Sequence, residues 1–205
     1  MRRVLGVVLV ILGVPLLGLG VLAAALTGPD DTVRMSGGTI ATDAPAITTA
    51  ADALPWSGPR YHVRAYSGDV ELFVGVAHPV NVDAYLDGVA QERVEEITPR
   101  YGGPITSSLT SGDVTPTVAP GELDWWEDHA EGTGEQTVSF QATETPMSVV
   151  VLRADLGSPL DVDLSVDAEI DGLFIGALGA AVGGVVLILA GRSLVRSRRR
   201  RRGRG

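Results

Sequence analysis

The sequence contains no cysteine and no lysine, and only three of its 205 residues are histidines. The absence of cysteine excludes a disulfide framework, a thiolate metal site and a cysteine nucleophile. His62, His78 and His129 are too far apart in sequence to share a helical turn, so a zinc site would need the fold to bring them together. No nucleophile-elbow, phosphate-loop or dinucleotide-binding motif occurs. The sequence therefore predicts no catalytic residue, metal ligand or cofactor.

Acidic and basic residues are segregated along the chain. All 25 acidic residues lie between Asp30 and Asp171, a range that holds only six arginines, so its net charge is −19. The other ten arginines lie at the two ends of the chain. This segregation indicates that the middle and the ends of the chain occupy different environments.

The first apolar segment, residues 4–26, contains no charged or strongly polar side chain. As a helix it would extend about 34 Å, enough to cross a hydrocarbon core of about 30 Å. We predict that it is a transmembrane helix. The alternative is a cleaved signal peptide, with Arg2 and Arg3 as its positive region and cleavage after Ala25. The apolar region of a signal peptide is usually shorter, about 7–15 residues.

A second transmembrane helix is predicted over residues 172–191, because 173–190 is continuously apolar or small. Arginine follows this segment and also precedes the first one. The positive-inside rule then places both termini, residues 1–3 and 192–205, in the cytoplasm. Residues 28–171 are predicted to lie outside the cell membrane.

The second apolar segment carries small residues at a spacing that permits close helix approach. The residues predicted to form this packing face are Gly172, Gly176, Gly179 and Gly183, with Ala180 and Gly184 beside them. Such a face suits pairing with the first helix or with a second copy of the chain. Glycine and alanine are also common throughout this sequence, so the pattern could arise without a packing role.

The basic residues after the second segment are predicted to bind anionic lipid headgroups, at about 1 kcal/mol per charge near the surface. They are Arg192, Arg196, Arg198, Arg199, Arg200, Arg201 and Arg202. No aromatic residue is interleaved with them, so a nucleic-acid partner is not predicted.

The middle of the chain is predicted to be mainly β: a stalk with short strands over 27–59, then an antiparallel β-sandwich over 60–171. Residues 61–66 and 70–76 flank the turn signal Ser67-Gly68-Asp69 and predict a hairpin. Residues 102–121 are expected to be irregular. One short amphipathic helix is predicted from Asn81, as its N-cap, to Val89.

Two segments of the middle region resemble a family of known membrane proteins. They are the strand Val70 to Ala77 and the helix Asn81 to Ala90, which are followed by Trp125-Trp126 and a later strand pair. This order resembles actinobacterial two-span membrane proteins of unassigned function. The family often has a tryptophan and an asparagine in the strand that here runs from Met147 to Gly157, and both are missing. The resemblance implies the two-span topology but no reaction.

Two acidic clusters offer an alternative function. One comprises Asp161, Asp163 and Asp167 on one strand face, and the other surrounds Trp125 with Glu122, Asp124, Glu127, Asp128 and Glu131. Calcium takes six to eight oxygen ligands, and paired carboxylates beside tryptophan are typical of glycosidases. A solvated acidic surface explains the same pattern. We therefore expect a non-enzymatic envelope scaffold, sensor or partner subunit, with a hydrolase or calcium-dependent binding module as the alternative.

Overall fold

A computed structural model describes residues 2–54, 57–97 and 105–196, and the chain divides into two compact units. The helical unit comprises Met1–Thr32 and Asp171–Gly205, and the β unit comprises Val33–Ile170. In chain order the elements are α1 (Arg2–Thr27), β1 (Thr32–Thr42), β2 (Ala46–Thr49), β3 (Arg60–Tyr66), β4 (Leu72–Ala77), α2 (Pro79–Tyr85), β5 (Gln91–Ile97), β6 (Ile105–Thr110), a 3₁₀ turn (Pro120–Glu122), β7 (Asp128–Gly132), β8 (Gln136–Gln141), β9 (Ser148–Arg153), β10 (Leu160–Glu169) and α3 (Leu173–Arg196).

The helical unit contains two long apolar helices, α1 and α3. Both are long and apolar enough to cross a membrane, judged by length and composition. They extend beyond the predicted segments, because each takes in flanking arginines: α1 begins at Arg2, and α3 continues to Arg196. Pro15 lies inside α1, and the Thr27 hydroxyl donates a hydrogen bond to the carbonyl oxygen of Ala23 in its last turn.

The β unit consists of two sheets that share one core. The four-stranded sheet has the order β1-β10-β3-β8, and the six-stranded sheet has the order β6-β5-β2-β9-β4-β7. Side chains from both sheets belong to a single buried cluster, among them Val63 and Val166 from the first and Val74 and Val151 from the second. The fold is thus a two-layer β structure, as a sandwich requires. The prediction of a purely antiparallel sandwich is wrong in one place, because β2 and β5 are neighbours that run parallel.

The predicted stalk is part of the β unit. β1 is an edge strand of the four-stranded sheet, and β2 lies between β5 and β9 in the six-stranded sheet. Met35, Ala46 and Ile47 are almost completely buried. The short strands predicted in this segment are confirmed, but they belong to the two sheets. Their place in the sheets was not predicted because small residues, Gly, Ala and Thr, dilute the apolar alternation in this segment. Burial of these few side chains depends on strands that are distant in sequence.

The predicted hairpin over 61–76 is also wrong. β3 pairs with β10 and β8, whereas β4 pairs with β9 and β7 in the other sheet. The turn at Ser67-Gly68-Asp69 therefore carries the chain from one layer to the other. Residues 105–110, expected to be irregular, form β6 at the end of the six-stranded sheet.

α2 starts earlier than predicted. Its N-cap is His78 rather than Asn81, and the Nδ1 atom of His78 accepts a hydrogen bond from the amide of Val80 at 3.3 Å. It also ends earlier than predicted, at Tyr85 rather than Val89. The burial expected from the apolar spacing is confirmed, because Val82 in the helix and Leu86 and Val89 after it are buried. These side chains pack with Phe73, Trp126 and Leu152 in a second, smaller core.

Candidate functional site

The contact between α1 and α3 is built from small residues at seven-residue intervals. On α1 these are Gly6, Gly13 and Gly20; on α3 they are Gly191, Gly184 and Ala177, so the helices run antiparallel. A β-carbon placed on Gly6 would lie 2.8 Å from the carbonyl oxygen of Gly191, and one on Gly20 would lie 2.7 Å from that of Ala177. The two backbones therefore touch directly along this seam, as they do where small residues line a helix interface.

The four glycines predicted to form the packing face do not lie at this seam, whereas Gly184, which was named beside them, does. A β-carbon on Gly172, Gly176 or Gly179 would meet nothing within 4 Å, and one on Gly183 would meet only a Leu16 methyl group at 3.9 Å. α3 carries two sets of small residues on different faces, and the rotation of the helix selects Ala177, Ala181, Gly184 and Gly191. The signal that could have identified the seam is the seven-residue interval on α1, because that helix has only one such series.

The remaining surface of the helix pair is apolar and exposed. On α1 the exposed fraction reaches 69% at Leu26, and on α3 it reaches 72% at Ile175. Val10 and Ile188 border the seam, but most of the large apolar side chains on both helices are exposed. Monomeric soluble proteins rarely expose contiguous apolar patches larger than a few hundred Å².

Asp31 caps the first turn of α3 although it lies 141 residues from Gly172 in sequence. Its Oδ2 atom accepts a hydrogen bond from the Gly172 amide at 3.0 Å, and its Oδ1 atom accepts one from the Phe174 amide at 2.6 Å. Asp31 adopts a positive φ of 56°, a conformation that aspartate tolerates better than most residues. Its charge also complements the helix dipole. No local sequence pattern identifies this contact, because its partners lie 141 residues apart.

Of the predicted basic residues, Arg192 is exposed in the last part of α3, and Arg196 is the last residue of that helix. The other five predicted residues, Arg198 to Arg202, lie outside the described part of the chain.

Trp125 and Trp126 form an aromatic cluster under the α2 side of the six-stranded sheet. The indole of Trp126 packs on Phe73, with ring centroids 5.0 Å apart, and donates a hydrogen bond to the Pro120 carbonyl oxygen at 2.9 Å. A β-carbon on Gly75 would lie 2.6 Å from this indole, so β4 needs glycine there. Trp126 is thus a core residue.

Tyr85 closes the edge of this cluster. Its ring packs against Trp125 at 6.0 Å, and its hydroxyl donates a hydrogen bond to the Val118 carbonyl oxygen at 2.9 Å. Burial raises the pKa of the Tyr85 hydroxyl to about 12. The phenol therefore stays protonated, and the cluster is uncharged at neutral pH.

The carboxylates near the tryptophans do not converge. Glu122, Asp124 and Glu127 are exposed, whereas Asp128 accepts a hydrogen bond from the Ser139 amide at 2.8 Å. Within the described ranges, no group of three or more His, Asp or Glu side chains is arranged to hold a metal ion. The structure gives no geometric support to the calcium or hydrolase alternative in this part of the chain.

A charged cluster occupies the outer face of the four-stranded sheet. Asp167 is almost completely buried there and forms ion pairs with Arg64 and with Arg34, whose Nε atom lies 3.7 Å from Oδ1. The Arg64 Nε atom also donates a hydrogen bond to Ser165. Asp167 Oδ1 itself accepts no hydrogen bond. Asp161 and Asp163 are exposed on the same face, as the alternation predicts, so the three aspartates do not share one environment.

The three histidines have separate structural roles. His62 Nε2 lies 2.9 Å from a Glu169 carboxylate oxygen, His78 caps α2, and His129 stacks on Phe73 with ring centroids 5.8 Å apart. The fold does not bring them together.

The turn after β9 contains an exposed ion pair. Arg153 donates two hydrogen bonds to Asp155, at 2.8 and 2.7 Å, and the Gly157 amide donates a third to Asp155 at 3.0 Å. These hydrogen bonds lower the pKa of the Asp155 carboxyl to about 2, with that of Arg153 as the largest cause. This geometry explains Asp155 as a turn-stabilising residue.

β6 is an open edge of the six-stranded sheet. It pairs with β5 on one side, and its six residues include no charged residue and no proline. Leu109 is 64% exposed on this strand. Edge strands are usually protected by charge, proline or bulges. The pairing of β6 with β5 has an irregularity between Val94 and Glu96, and the opposite edge strand, β7, carries Asp128 and Glu131.

In comparisons with known proteins, no family model matches the chain, and no curated protein matches it.

Proposed function

We propose that the chain is a two-span membrane protein that presents the β unit outside the cytoplasm as a non-enzymatic scaffold, sensor or partner subunit. The observation that carries this proposal is the helix pair, in which small residues bring the two backbones into contact and most large apolar side chains are exposed. In water this surface would be unfavourable, at roughly 25 cal/mol per Å² of apolar area. In a bilayer the same surface contacts lipid.

The distribution of charge supports the orientation. In sequence, arginines flank the end of each helix that is nearer a chain terminus. The acidic residues of the helical unit, Asp30, Asp31 and Asp171, lie at the opposite helix ends. With both termini in the cytoplasm, the acidic β unit lies outside, as the resemblance to the actinobacterial two-span family also implies.

Alkaline extraction and reporter fusions test the topology. We expect the chain to stay in the membrane pellet at high pH. Fusions after Gly121 and after Gly205 should be active in opposite compartments. Release of the chain by alkali, or activity of both fusions on the same side, would contradict the proposal. Detection of a mature chain that starts after Ala25 would favour the signal-peptide alternative.

For the partner, we propose that β6 receives an extended segment of another envelope protein by strand addition. The open, uncharged edge supports this surface. A photo-crosslinking residue at Thr106 should yield a defined adduct, and one at Thr137 on β8 should not. Leu109→Lys should abolish the adduct in a chain that remains folded, because a charge on an edge strand opposes pairing. Equal adducts from both positions, or an adduct unaffected by Leu109→Lys, would exclude this edge.

A further inference from the structure

A groove of about 300 Å³ lies between α1 and α3, beside the contact of Gly6 with Gly191. It is lined by Val7, Val10 and Ile11 of α1 and by Arg192 and Val195 of α3. Its volume is at the lower end of the roughly 300–1,000 Å³ typical of small-ligand sites. The groove forms because Gly6 and Gly191 have no side chains, so the neighbouring valines line the space beside their contact.

The chemistry of the groove is apolar along the helices and cationic at one point. Four of its five lining residues are aliphatic, and the fifth carries the Arg192 guanidinium. Arg3 lies at the same end of the antiparallel pair, because α1 starts where α3 finishes. Asp31, by contrast, caps the opposite end of α3. An occupant that matches this groove has an aliphatic part and an anionic head.

We propose that this groove binds one acyl chain of an anionic phospholipid, with the lipid phosphate paired to Arg192. This inference rests on the proposed membrane insertion. Guanidinium and phosphate form bidentate, charge-assisted hydrogen bonds, which gives Arg192 an advantage over a diffuse attraction. A second copy of the chain fits less well. A symmetric dimer applies the same surface to itself, and it would bring two copies of Arg192 together.

The test uses the purified full-length chain in mixed micelles that contain equal amounts of phosphatidylglycerol and phosphatidylcholine. The lipid that copurifies through gel filtration is quantified by mass spectrometry. We expect about one retained phosphatidylglycerol per chain, enriched over phosphatidylcholine by roughly fivefold, the factor that one basic charge near a lipid surface contributes. Arg192→Gln should lower this enrichment, and the weaker attraction of the other tail arginines should remain.

Two matched controls separate a site from general attraction. Arg3→Gln removes one charge from the same helix end but not from the groove, so it should keep the enrichment. Ile11→Trp fills the groove and should reduce the retained lipid, whereas Leu12→Trp, at a neighbouring exposed position outside the lining, should not. Equal losses with Arg3→Gln and Arg192→Gln, or no loss with Ile11→Trp, would overturn the proposal.

Alkaline extraction of every variant distinguishes the two levels of failure. A chain that remains membrane-embedded but shows no phosphatidylglycerol enrichment contradicts the lipid site alone. A chain that alkali releases contradicts membrane insertion and the lipid site together. Dimers that disappear with Ile11→Trp, without retained lipid, would assign the groove to a second copy and also overturn the lipid proposal.

Discussion

Gly13 and Gly184 face each other across the helix pair so closely that neither can carry a side chain. A β-carbon on Gly13 would lie 2.8 Å from the Gly184 carbonyl oxygen, and one on Gly184 would lie 2.7 Å from the Gly13 carbonyl oxygen. Such separations are too short for an aliphatic carbon beside a carbonyl oxygen. The contact is reciprocal, so a larger residue on either helix must separate both backbones.

Gly13→Leu should therefore destabilise the helix pair. Overpacking of a close contact typically costs about 1–3 kcal/mol. The measurement is thermal unfolding of the full chain in detergent, followed by circular dichroism. Gly18→Leu is the matched control, because a β-carbon at Gly18 meets nothing within 4 Å. Gly179→Leu should be equally harmless. A large effect at Gly179 with none at Gly13 would restore the packing face expected from sequence.

Asp31→Ala should weaken the first turn of α3. Loss of a capping side chain costs about 0.5–2 kcal/mol. Hydrogen exchange should be faster at the Phe174 and Gly172 amides, which donate to the Asp31 carboxylate. Asp31→Asn keeps an acceptor oxygen and tolerates the positive φ, so it should retain most of the protection. Unchanged exchange in Asp31→Ala would show that the cap contributes nothing.

Removal of Arg64 should lower the stability of the chain more than removal of Arg34, although both arginines contact Asp167. Arg64→Met leaves a buried carboxylate without its main hydrogen-bond donor, and breaking such a pair costs about 3 kcal/mol. Arg34 is more than half exposed and lies farther away, so Arg34→Met should cost less than about 1 kcal/mol. Denaturant unfolding in detergent measures both. Equal losses, or a larger loss at Arg34, would contradict this assignment. Asp167→Leu added to Arg64→Met should recover part of the stability, because it removes the unpaired buried charge.

Tyr85 should ionise well above the ordinary tyrosine pKa of about 10. The difference in phenolate absorbance between the parent chain and Tyr85→Phe isolates this group, and its midpoint should lie at a pKa of about 12. The pKa of Tyr85 is higher in the folded chain than in the unfolded chain, so its neutral form contributes to the free energy of unfolding. This contribution is fully present below the pKa of the unfolded chain and is lost as the pH rises towards the pKa of the folded chain. The parent chain should therefore lose more stability than Tyr85→Phe over this alkaline range. A difference midpoint near 10 would indicate that Tyr85 is solvated.

The sequence predicted those features that depend on local pattern. Val82 lies on the buried face of α2, and Leu86 and Val89, which follow the helix, are buried beside it at the spacing that the sequence predicts. The position of Asp161 and Asp163 on one face of a strand is likewise confirmed, because both are exposed in β10 between buried residues. The start of α2 was not predicted, because Asn81 is of a residue type that usually caps a helix, whereas His78 takes this role through its contact with the Val80 amide.

The candidate sites depended on contacts that local pattern does not encode. Asp31 meets Phe174 only because α1 and α3 lie side by side. The acidic residues near Trp126 looked like a ligand set, but the fold directs Asp128 to the Ser139 amide and Trp126 into a core.

By itself the sequence determined two long apolar helices, a β-rich middle region and an acidic charge confined between the basic ends. These follow from composition and periodicity, which act over a few neighbouring residues. Only the tertiary structure decided which small residues of α3 meet α1, because rotation of a helix is set by its partner. It also decided that β3 and β4 belong to different sheets and that 32–49 supplies strands to both. Strands pair with segments that are distant in sequence, and the burial of side chains in the shared core determines which pairing is most stable.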